Sequence, residues 1–300
     1  MTEVVRRLTS YVSLLTLAGV FPLQAQSLYE QARAADARGL LDTAYALIQR
    51  AADAEPNRAE VQYLLGDIAC RKASTAGAFS AFGLARKCKE GFGRAVELAP
   101  DSTTYLESLA SFLAQAPGMV GGDKDSAQKL IAVVRARDEV RGTFLQATVW
   151  WAGNATSRAR SDSAVDALAA AHPVDRTIQL RVGQWWTETR RDDRALPLYE
   201  GMAARDPRDA VARFFVGREL VVLKRELRRA QEHLRFAAAA TPPTGRGVPS
   251  FAPGAPWYRL GQSYEQLGMP DSARLCFERA LQVNPQLVPA RLSLDSLTHS

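Results

Sequence analysis

A stretch near the C-terminal end, residues 254–287, constrains the fold more than any other part of the sequence. Within its 34 residues, bulky side chains recur at positions 4, 11 and 24, and small ones at positions 8, 20 and 27. Two antiparallel helices explain this spacing, because bulky residues fill the space between helices and small ones let the backbones approach. A proline at position 32 follows the second helix, since proline cannot continue a helix interior. The full set is Trp257, Leu260, Gly261, Tyr264, Gly268, Ala273, Phe277, Ala280 and Pro285.

This pattern resembles the tetratricopeptide repeat (TPR) and matches it at every signature position. The resemblance implies an all-α fold, a right-handed superhelical solenoid of about seven antiparallel helix pairs. It also implies a C-terminal capping helix that shields the last apolar face of the array. Residues 83–87 (Gly-Leu-Ala-Arg-Lys), Ala-Pro-Gly at 116–118 and the glycine pair at 121–122 look like a stretch seen in exported bacterial TPR proteins of unassigned role.

Weaker copies of the pattern run through the rest of the chain. Extra residues interrupt the second and third copies, within Arg71–Leu84 and around Ala116–Gly122, and the first insertion is expected to lengthen a hairpin turn. The fourth copy fits least, because no single register satisfies the whole pattern. Val248 and Phe251 are too apolar for a purely flexible linker, so we expect their loop to lie against the solenoid. The predicted repeats are 25–58, 59–102, 103–141, 142–175, 176–209, 210–244 and 254–287, with a loop at 241–256 and the capping helix at 288–298.

The first 25 residues have the features of a signal peptide. An arginine pair, Arg6-Arg7, precedes a mostly apolar run from Leu8 to Phe21, and Ala25 offers a small residue for cleavage. A buried first helix and a retained membrane anchor are the alternatives, but the run is shorter than the about 20 apolar residues needed to span a bilayer. We therefore expect an exported protein, periplasmic or otherwise envelope-associated. Residues 26–300 would form the solenoid, with no stable membrane span after cleavage.

The charge of the chain argues against nucleic acid as a partner. The formal net charge is +6, and removal of the predicted signal peptide leaves +5. This surplus is mild and spread along the chain. No basic run with interleaved aromatic residues occurs, and such a run is the usual footprint of nucleic-acid binding.

Three cysteines, Cys70, Cys88 and Cys276, leave at least one thiol unpaired. Cys70 and Cys88 fall on opposite helices of the second predicted hairpin, so a bridge between them is geometrically conceivable. Burial of all three as small apolar side chains is an equally good interpretation, since free cysteine is among the most buried residue types.

The sequence contains no recognisable catalytic or metal-binding constellation. The histidines at 172, 233 and 299 form no His-x-x-x-His pair, and the cysteines form no Cys-x-x-Cys pair. The Gly-x-Ser-x-Gly elbow of serine hydrolases does not occur. The glycine-rich turn at 118–122 lacks the Gly-Lys-Ser/Thr ending of a phosphate loop and follows a helix. We therefore expect no catalytic residue, no cofactor and no metal, and the chain is predicted not to be an enzyme.

A binding surface is what the TPR resemblance implies instead. Positions 2, 5, 9, 12 and 13 of each first helix would line a concave groove. Here these positions mix aromatic anchors with hydrogen-bonding groups, the composition of a peptide or protein groove. They do not reproduce the lysine- and asparagine-based carboxylate clamp of chaperone-binding TPR domains, so a C-terminal carboxylate is not the expected ligand. The candidate residues are Tyr63, Asp67, Arg71, Gln184, Phe214, Arg218, Tyr258, Gln262 and Glu265.

Two functions are compatible with this surface. The favoured one is a non-catalytic adaptor or scaffold in the cell envelope that binds a protein or peptide partner in the groove. The alternative is a ligand-binding accessory subunit of an envelope transport or cell-wall system, whose cavity would hold a small molecule. Solvated helix faces without a partner have a similar composition, so the residues alone do not decide the matter.

Overall fold

The computed structural model describes residues 27–241 and 250–298, and both ranges are built from α-helices and their connections. The predicted signal peptide at 1–25 and Val248 lie outside these ranges. None of the described helices is both long enough and apolar enough to cross a membrane. The chain divides into two compact units between residues 152 and 153. This boundary falls inside the fourth predicted repeat, the copy that fits the repeat pattern least.

Unit 1 is a series of helical hairpins. Helices α1 and α2, α3 and α4, and α5 and α6 pack as consecutive pairs, and α7 packs on α6 and α5. Its core begins with Ile48, Val61 and Ile68 between the first two hairpins. The helices are α1 Leu28–Ala37, α2 Leu41–Ala54, α3 Ala59–Thr75, α4 Ala78–Leu98, α5 Thr103–Gln115, α6 Lys124–Arg137 and α7 Glu139–Trp151, with a 3₁₀ helix at Gly118–Val120.

Unit 2 has the same construction. Helix α8 packs on α9, the pairs α9 and α10, α11 and α12, and α13 and α14 form hairpins, and α15 packs on α14. The helices are α8 Ala155–Ala171, α9 Arg176–Glu188, α10 Asp192–Arg205, α11 Ala210–Val222, α12 Leu227–Ala239, α13 Ala255–Gln266, α14 Pro270–Val283 and α15 Val288–Thr298. The all-α fold of TPR-like helical hairpins is thereby confirmed within each unit, and α15 is the predicted terminal helix.

A glycine on the first helix of a hairpin sets how closely the second helix approaches. A Cβ atom added to Gly261 of α13 would lie 2.4 Å from Cε1 of Phe277 on α14. The same contact recurs in unit 2 between Gly183 and Tyr199, where the added Cβ would lie 2.4 Å from Cζ. Only glycine leaves room for the facing aromatic ring at this distance, so the spacing of small and bulky residues in the sequence reports real helix contacts.

The insertion in the second repeat is helical. The extra residues within Arg71–Leu84 were predicted to lengthen the turn, and this prediction was wrong. They extend both helices instead, so that α3 has 17 residues and α4 has 21, with only Ala76 and Gly77 between them. Alanine recurs through this stretch, and alanine has the highest intrinsic helix propensity. The hairpin is therefore long, and the connection at its tip is short.

The described end of the loop before α13 packs on unit 2, as the apolar residue Phe251 predicted. Phe251 is buried, and its ring centroid lies 4.7 Å from that of Phe214 on α11. Phe214 in turn makes an edge contact with Phe215, at 5.2 Å between centroids. The loop end is thus anchored by aromatic packing rather than free.

Candidate binding site

The long α3–α4 hairpin and the segment that follows α5 enclose an apolar groove in unit 1. Its volume is about 790 Å³, within the range of natural ligand pockets. Phe82 and Met119 stand at its mouth, with 42% and 78% of their surfaces exposed. We call this cavity the unit 1 groove. It is lined by Cys70, Ala73, Ser74, Ala81, Phe82, Ala85, Phe92, Glu107, Ser108, Ser111, Phe112, Gln115, Ala116, Pro117, Met119 and Val120.

Both walls of the unit 1 groove come from the two insertions that interrupt the repeat pattern. One wall is the extended tip of the α3–α4 hairpin, which carries Ala81, Phe82 and Ala85. The other is the 116–120 segment after α5, which carries Met119 and Val120. A regular 34-residue repeat would supply neither wall. The groove is thus built from the departures from the repeat, not from the repeat itself.

The wall after α5 is held by its backbone. The amide of Gly122 donates to the carbonyl of Pro117 at 3.1 Å, and the amide of Asp123 donates to that of Leu113 at 2.8 Å. Gly121 adopts φ +98°, a conformation that favours glycine. At Gly122 a Cβ atom would lie only 1.8 Å from the carbonyl oxygen of Ala116. The two consecutive glycines are therefore required by this turn, and the turn presents Met119 in a fixed position.

Asp123 joins this turn to α6. Its Oδ1 accepts hydrogen bonds from the amides of Asp125 and Ser126 at 3.1 and 3.0 Å, and its Oδ2 accepts from Oγ of Ser126 at 2.6 Å. These bonds favour the ionised form, so the hydrogen bond from Ser126 first of all lowers the pKa of Asp123. The capped helix end gives the groove wall a firm attachment.

A disulfide bond adjoins the groove. Cys70 of α3 and Cys88 of α4 are bonded, with 5.0 Å between their Cα atoms. The sequence left this pairing open. Cys88 is fully buried beside Phe92, whereas Cys70 also lines the groove. Cys276 is the free cysteine, and its burial raises the pKa of its thiol to about 11, which makes it unreactive.

One charged side chain in the lining is neutralised by a neighbour. Glu107 of α5 accepts a hydrogen bond at 2.8 Å from Nε of Arg141 on α7 and a second bond from its Nη2. This pairing raises the pKa of Arg141. Because Glu107 is engaged, the groove offers mainly apolar contacts together with the hydroxyls of Ser108 and Ser111.

The three groove residues predicted in unit 1 lie beside the apolar groove and do not line it. The ring of Tyr63 stacks on Tyr105 at 4.8 Å between centroids. Arg71 donates to Asp67 at 3.1 Å and to Asp36 of α1 at 2.7 Å. Asp67 and Arg71 thus form an ion-pair network between α1 and α3. Cys70, one residue before Arg71 on α3, and Ser74, three residues after it, line the groove instead.

In unit 2, two predicted residues take part in internal contacts. Phe214 is only 5% exposed, because Phe251 covers it. Arg218 donates to Oγ1 of Thr187 at 3.2 Å and pairs with Glu219. Gln184, on α9, is partly buried. Repeat positions predicted that these three line the concave groove, but sequence spacing carries no signal for Phe251, which covers Phe214.

The remaining three predicted residues lie on α13. Nε2 of Gln262 donates to the hydroxyl of Tyr258 at 2.9 Å, and Nη1 of Arg259 donates to Oε1 of Gln262 at 2.7 Å. Glu265 is exposed to solvent. The structure therefore brings Tyr258 and Gln262 together as a hydrogen-bonded pair, while Glu265 stands apart from them.

A buried acid in unit 2 was not found from the sequence. Glu219 is fully buried, and its Oε1 accepts from Thr187 at 3.0 Å and from Arg218. Its Oε2 has no hydrogen-bond partner among the residues that the structure describes. Burial raises the pKa of Glu219 to about 7, although the Arg218 charge opposes this shift. The hydroxyl of Tyr199 is buried nearby, and burial raises its pKa as well. In sequence, Glu219 looks like an ordinary polar residue of an amphipathic helix.

The titratable groups form no set that holds a metal within the part of the chain that the structure describes. Nδ1 of His233 accepts a hydrogen bond from Nε of Arg213 at 3.3 Å. Burial and then the Arg213 charge lower the pKa of His233, so the ring stays neutral near pH 7. His233 thus acts as a structural acceptor between α11 and α12.

Comparisons with known proteins agree with this architecture. Residues 255–287 match the model of the tetratricopeptide repeat. The fold resembles that of a tetratricopeptide repeat protein from Parabacteroides merdae, with 14% identity, coverage of 91% of this chain and 98% of that chain, and a TM-score of 0.50. Curated protein sequences give no match. The chain therefore contains a tetratricopeptide repeat and has the fold of TPR proteins.

Two further solved structures align at lower TM-scores. A thermophilic TPR protein from Thermus thermophilus is 15% identical, with coverage of 92% of this chain and 99% of that chain and a TM-score of 0.31. YrrB, a TPR protein with an unusual peptide-binding site, is 12% identical, with coverage of 82% and 96% and a TM-score of 0.34. Neither likeness adds to the assignment of the fold.

Proposed function

We propose that this TPR-fold protein is a non-catalytic adaptor that holds a segment of a partner polypeptide in the unit 1 groove. One observation carries the proposal: an apolar cavity of about 790 Å³ opens between two fixed walls, with Phe82 and Met119 exposed at its mouth. Exposed apolar surface of this kind is costly in water unless something covers it. TPR folds are typical scaffolds for proteins and peptides, and a polypeptide is thus the occupant that fits the fold.

The shape of the groove suits a helical segment. Its floor and one wall are made of small residues, among them Ala73, Ala81 and Ala85, which let a helix backbone come close. Two aromatic side chains of the lining, Phe82 and Phe112, then contact larger side chains of the occupant. An amphipathic helix would place apolar residues at i, i+3 or i+4, and i+7 into such a groove.

A second candidate function is the capture of a small apolar molecule. The volume and the apolar lining of the unit 1 groove also fall within the range of small-molecule sites. An accessory subunit of an envelope transport or cell-wall system would use the groove in this way. The exposure of Phe82 and Met119 in the lining leaves the groove open to solvent, which favours a polypeptide that continues beyond the cavity.

We also propose that the protein works outside the cytoplasm. The arginine pair and apolar run of residues 1–25 support export, and so does the Cys70–Cys88 disulfide, since such bonds persist in oxidising compartments. Amino-terminal sequencing of protein from an envelope fraction is expected to give a chain that begins at or near Gln26. Recovery of a chain that retains Met1 would contradict this part of the proposal.

A display selection tests the binding proposal. The full chain from Gln26 onward is presented to a library of random peptides long enough for about four helical turns. The proposal predicts enrichment of peptides with apolar residues at helical spacing. An excess of one synthetic peptide of enriched sequence should displace the bound peptides from the protein. Enrichment of no peptide, together with saturable uptake of a fluorescent apolar dye that Phe82→Ser abolishes, would overturn the polypeptide proposal in favour of the small-molecule alternative.

A further inference from the structure

A second, polar pocket lies on the other face of the 3₁₀ helix that forms one wall of the unit 1 groove. Met119 and Val120 contribute to both cavities, so the two are separated only by this single turn of chain. The second cavity has a volume of about 560 Å³, and α4 forms its opposite side. We call it the basic pocket. Its further lining residues are Arg86, Lys89, Glu90, Gly93, Arg94, Glu97, Gly118 and Gly121.

Basic side chains outnumber acidic ones in the lining of the basic pocket. Glu90 pairs with Lys87 at 3.1 Å and with Arg86 at 4.0 Å. Glu97 pairs with Arg94 at 2.9 Å, and Arg94 also donates to Asn57 at 2.7 Å. Both acids that line the pocket are therefore engaged by basic residues of α4 itself.

Lys89 takes part in none of these ion pairs. Among the described residues, no carboxylate lies within ion-pair distance of its ammonium group. Its side chain runs across Gly121: a Cβ atom on this glycine would lie 2.6 Å from Cδ and 2.8 Å from Nζ of Lys89. The bare backbone of Gly121 thus makes room for the lysine stem. The ammonium group lies beside Gly121, in the lining of the basic pocket.

We infer that Lys89 recognises a carboxylate side chain of the partner segment whose apolar residues occupy the unit 1 groove. This inference rests on the proposed function and specifies the partner: an acidic and apolar segment, with Asp or Glu next to its apolar anchors. A segment in the groove that crosses the Met119 turn reaches the basic pocket directly, because the two cavities share that turn. The unpaired ammonium supplies the complementary charge, and such pairing selects partners and raises their association rate.

Two peptide libraries test the inference. They are identical in length and apolar content, but one lacks Asp and Glu and the other lacks Lys and Arg. The wild-type chain is expected to enrich peptides from the library that retains acids, with Asp or Glu beside the apolar positions. Lys89→Glu should reverse this preference and weaken the best acidic peptide about tenfold, an effect that added salt diminishes.

Lys87→Glu is the matched control. Lys87 lies two residues earlier on α4, already pairs with Glu90, and does not line the basic pocket. This variant should keep the preference of the wild type. Enrichment of apolar peptides with no preference between the libraries, or equal effects of the two substitutions, would overturn the inference and leave the groove proposal standing. Enrichment from neither library would overturn both.

Discussion

Cys70 and Cys88 tie α3 to α4 at the last point where the hairpin still has a buried residue. Their Cα atoms are 5.0 Å apart, and Cys88 is fully buried. Beyond them, none of the described side chains at 71–87 is buried. The tip of this hairpin, which forms one wall of the unit 1 groove, therefore depends on the disulfide for its position more than on packing.

Reduction of this disulfide is expected to loosen the groove wall. The loop that the bond closes, 70–88, is of a length for which cross-linking contributes about 3 kcal/mol to stability. In the double variant Cys70→Ser/Cys88→Ser, hydrogen exchange should accelerate at 71–87, and affinity for a selected peptide should fall. Added dithiol should have the same effect on the wild type and none on the double variant. Exchange at 71–87 that does not respond to reduction would contradict this role.

The close contact between Gly261 and Phe277 leads to a prediction on stability. Gly261→Leu should lower the free energy of unfolding by about 3 kcal/mol or more, because the new side chain has no space against the ring. Gly93→Ala is the control, since Gly93 lies within α4 and an added Cβ meets nothing within 4 Å. It should stabilise the chain by about 1 kcal/mol through helix propensity. Denaturant unfolding of both variants measures these effects. A midpoint for Gly261→Leu equal to that of the wild type would contradict the repeat positions assigned to this hairpin.

The buried Glu219 predicts that stability depends on pH. Its pKa of about 7 in the folded state lies above the ordinary 4.5, since burial disfavours the charged carboxylate. The stability that this group contributes is fully present below pH 4.5 and is lost as the pH rises through about 7. The charged or titratable groups that act on it are Arg218, Asp192, Tyr199 and Arg259.

Chemical unfolding across this pH range checks the Glu219 prediction. Glu219→Gln keeps the shape of the side chain and removes its titration, so the decrease in stability between pH 4.5 and about 7 should become smaller. Glu278→Gln, at an exposed position on α14, should leave the decrease unchanged. If the Glu219→Gln variant loses as much stability with rising pH as the wild type does, another group causes the decrease.

The sequence predicted the architecture because each hairpin is a local structure. The contact of Gly261 with Phe277 spans only 16 positions and belongs to a pattern of small and bulky residues that this one copy shows in full. The apolar residue Phe251 likewise indicated that its loop packs on the helices, and Phe214 is what it contacts.

The groove itself was beyond sequence reasoning for two physical reasons. The 71–84 insertion is compatible with a turn or with longer helices, and only the packing of α4 on α3 decides between them. The two groove walls are then brought together by contacts between α4 and α5, which leave no periodic signal. Tyr63 and Arg71 were predicted from repeat positions, but the groove formed where the chain departs from the repeat.

Affinity of a selected peptide for two phenylalanine variants tests the groove proposal most directly. Phe82 lines the unit 1 groove, whereas Phe79, three residues earlier on α4, is 98% exposed and lies outside its lining. Phe82→Ser should cost about 2 kcal/mol of binding free energy, as expected for an aromatic anchor, while Phe79→Ser should bind like the wild type in titration calorimetry. Equal affinities of Phe82→Ser and wild type, with helical content unchanged, would contradict binding in the unit 1 groove.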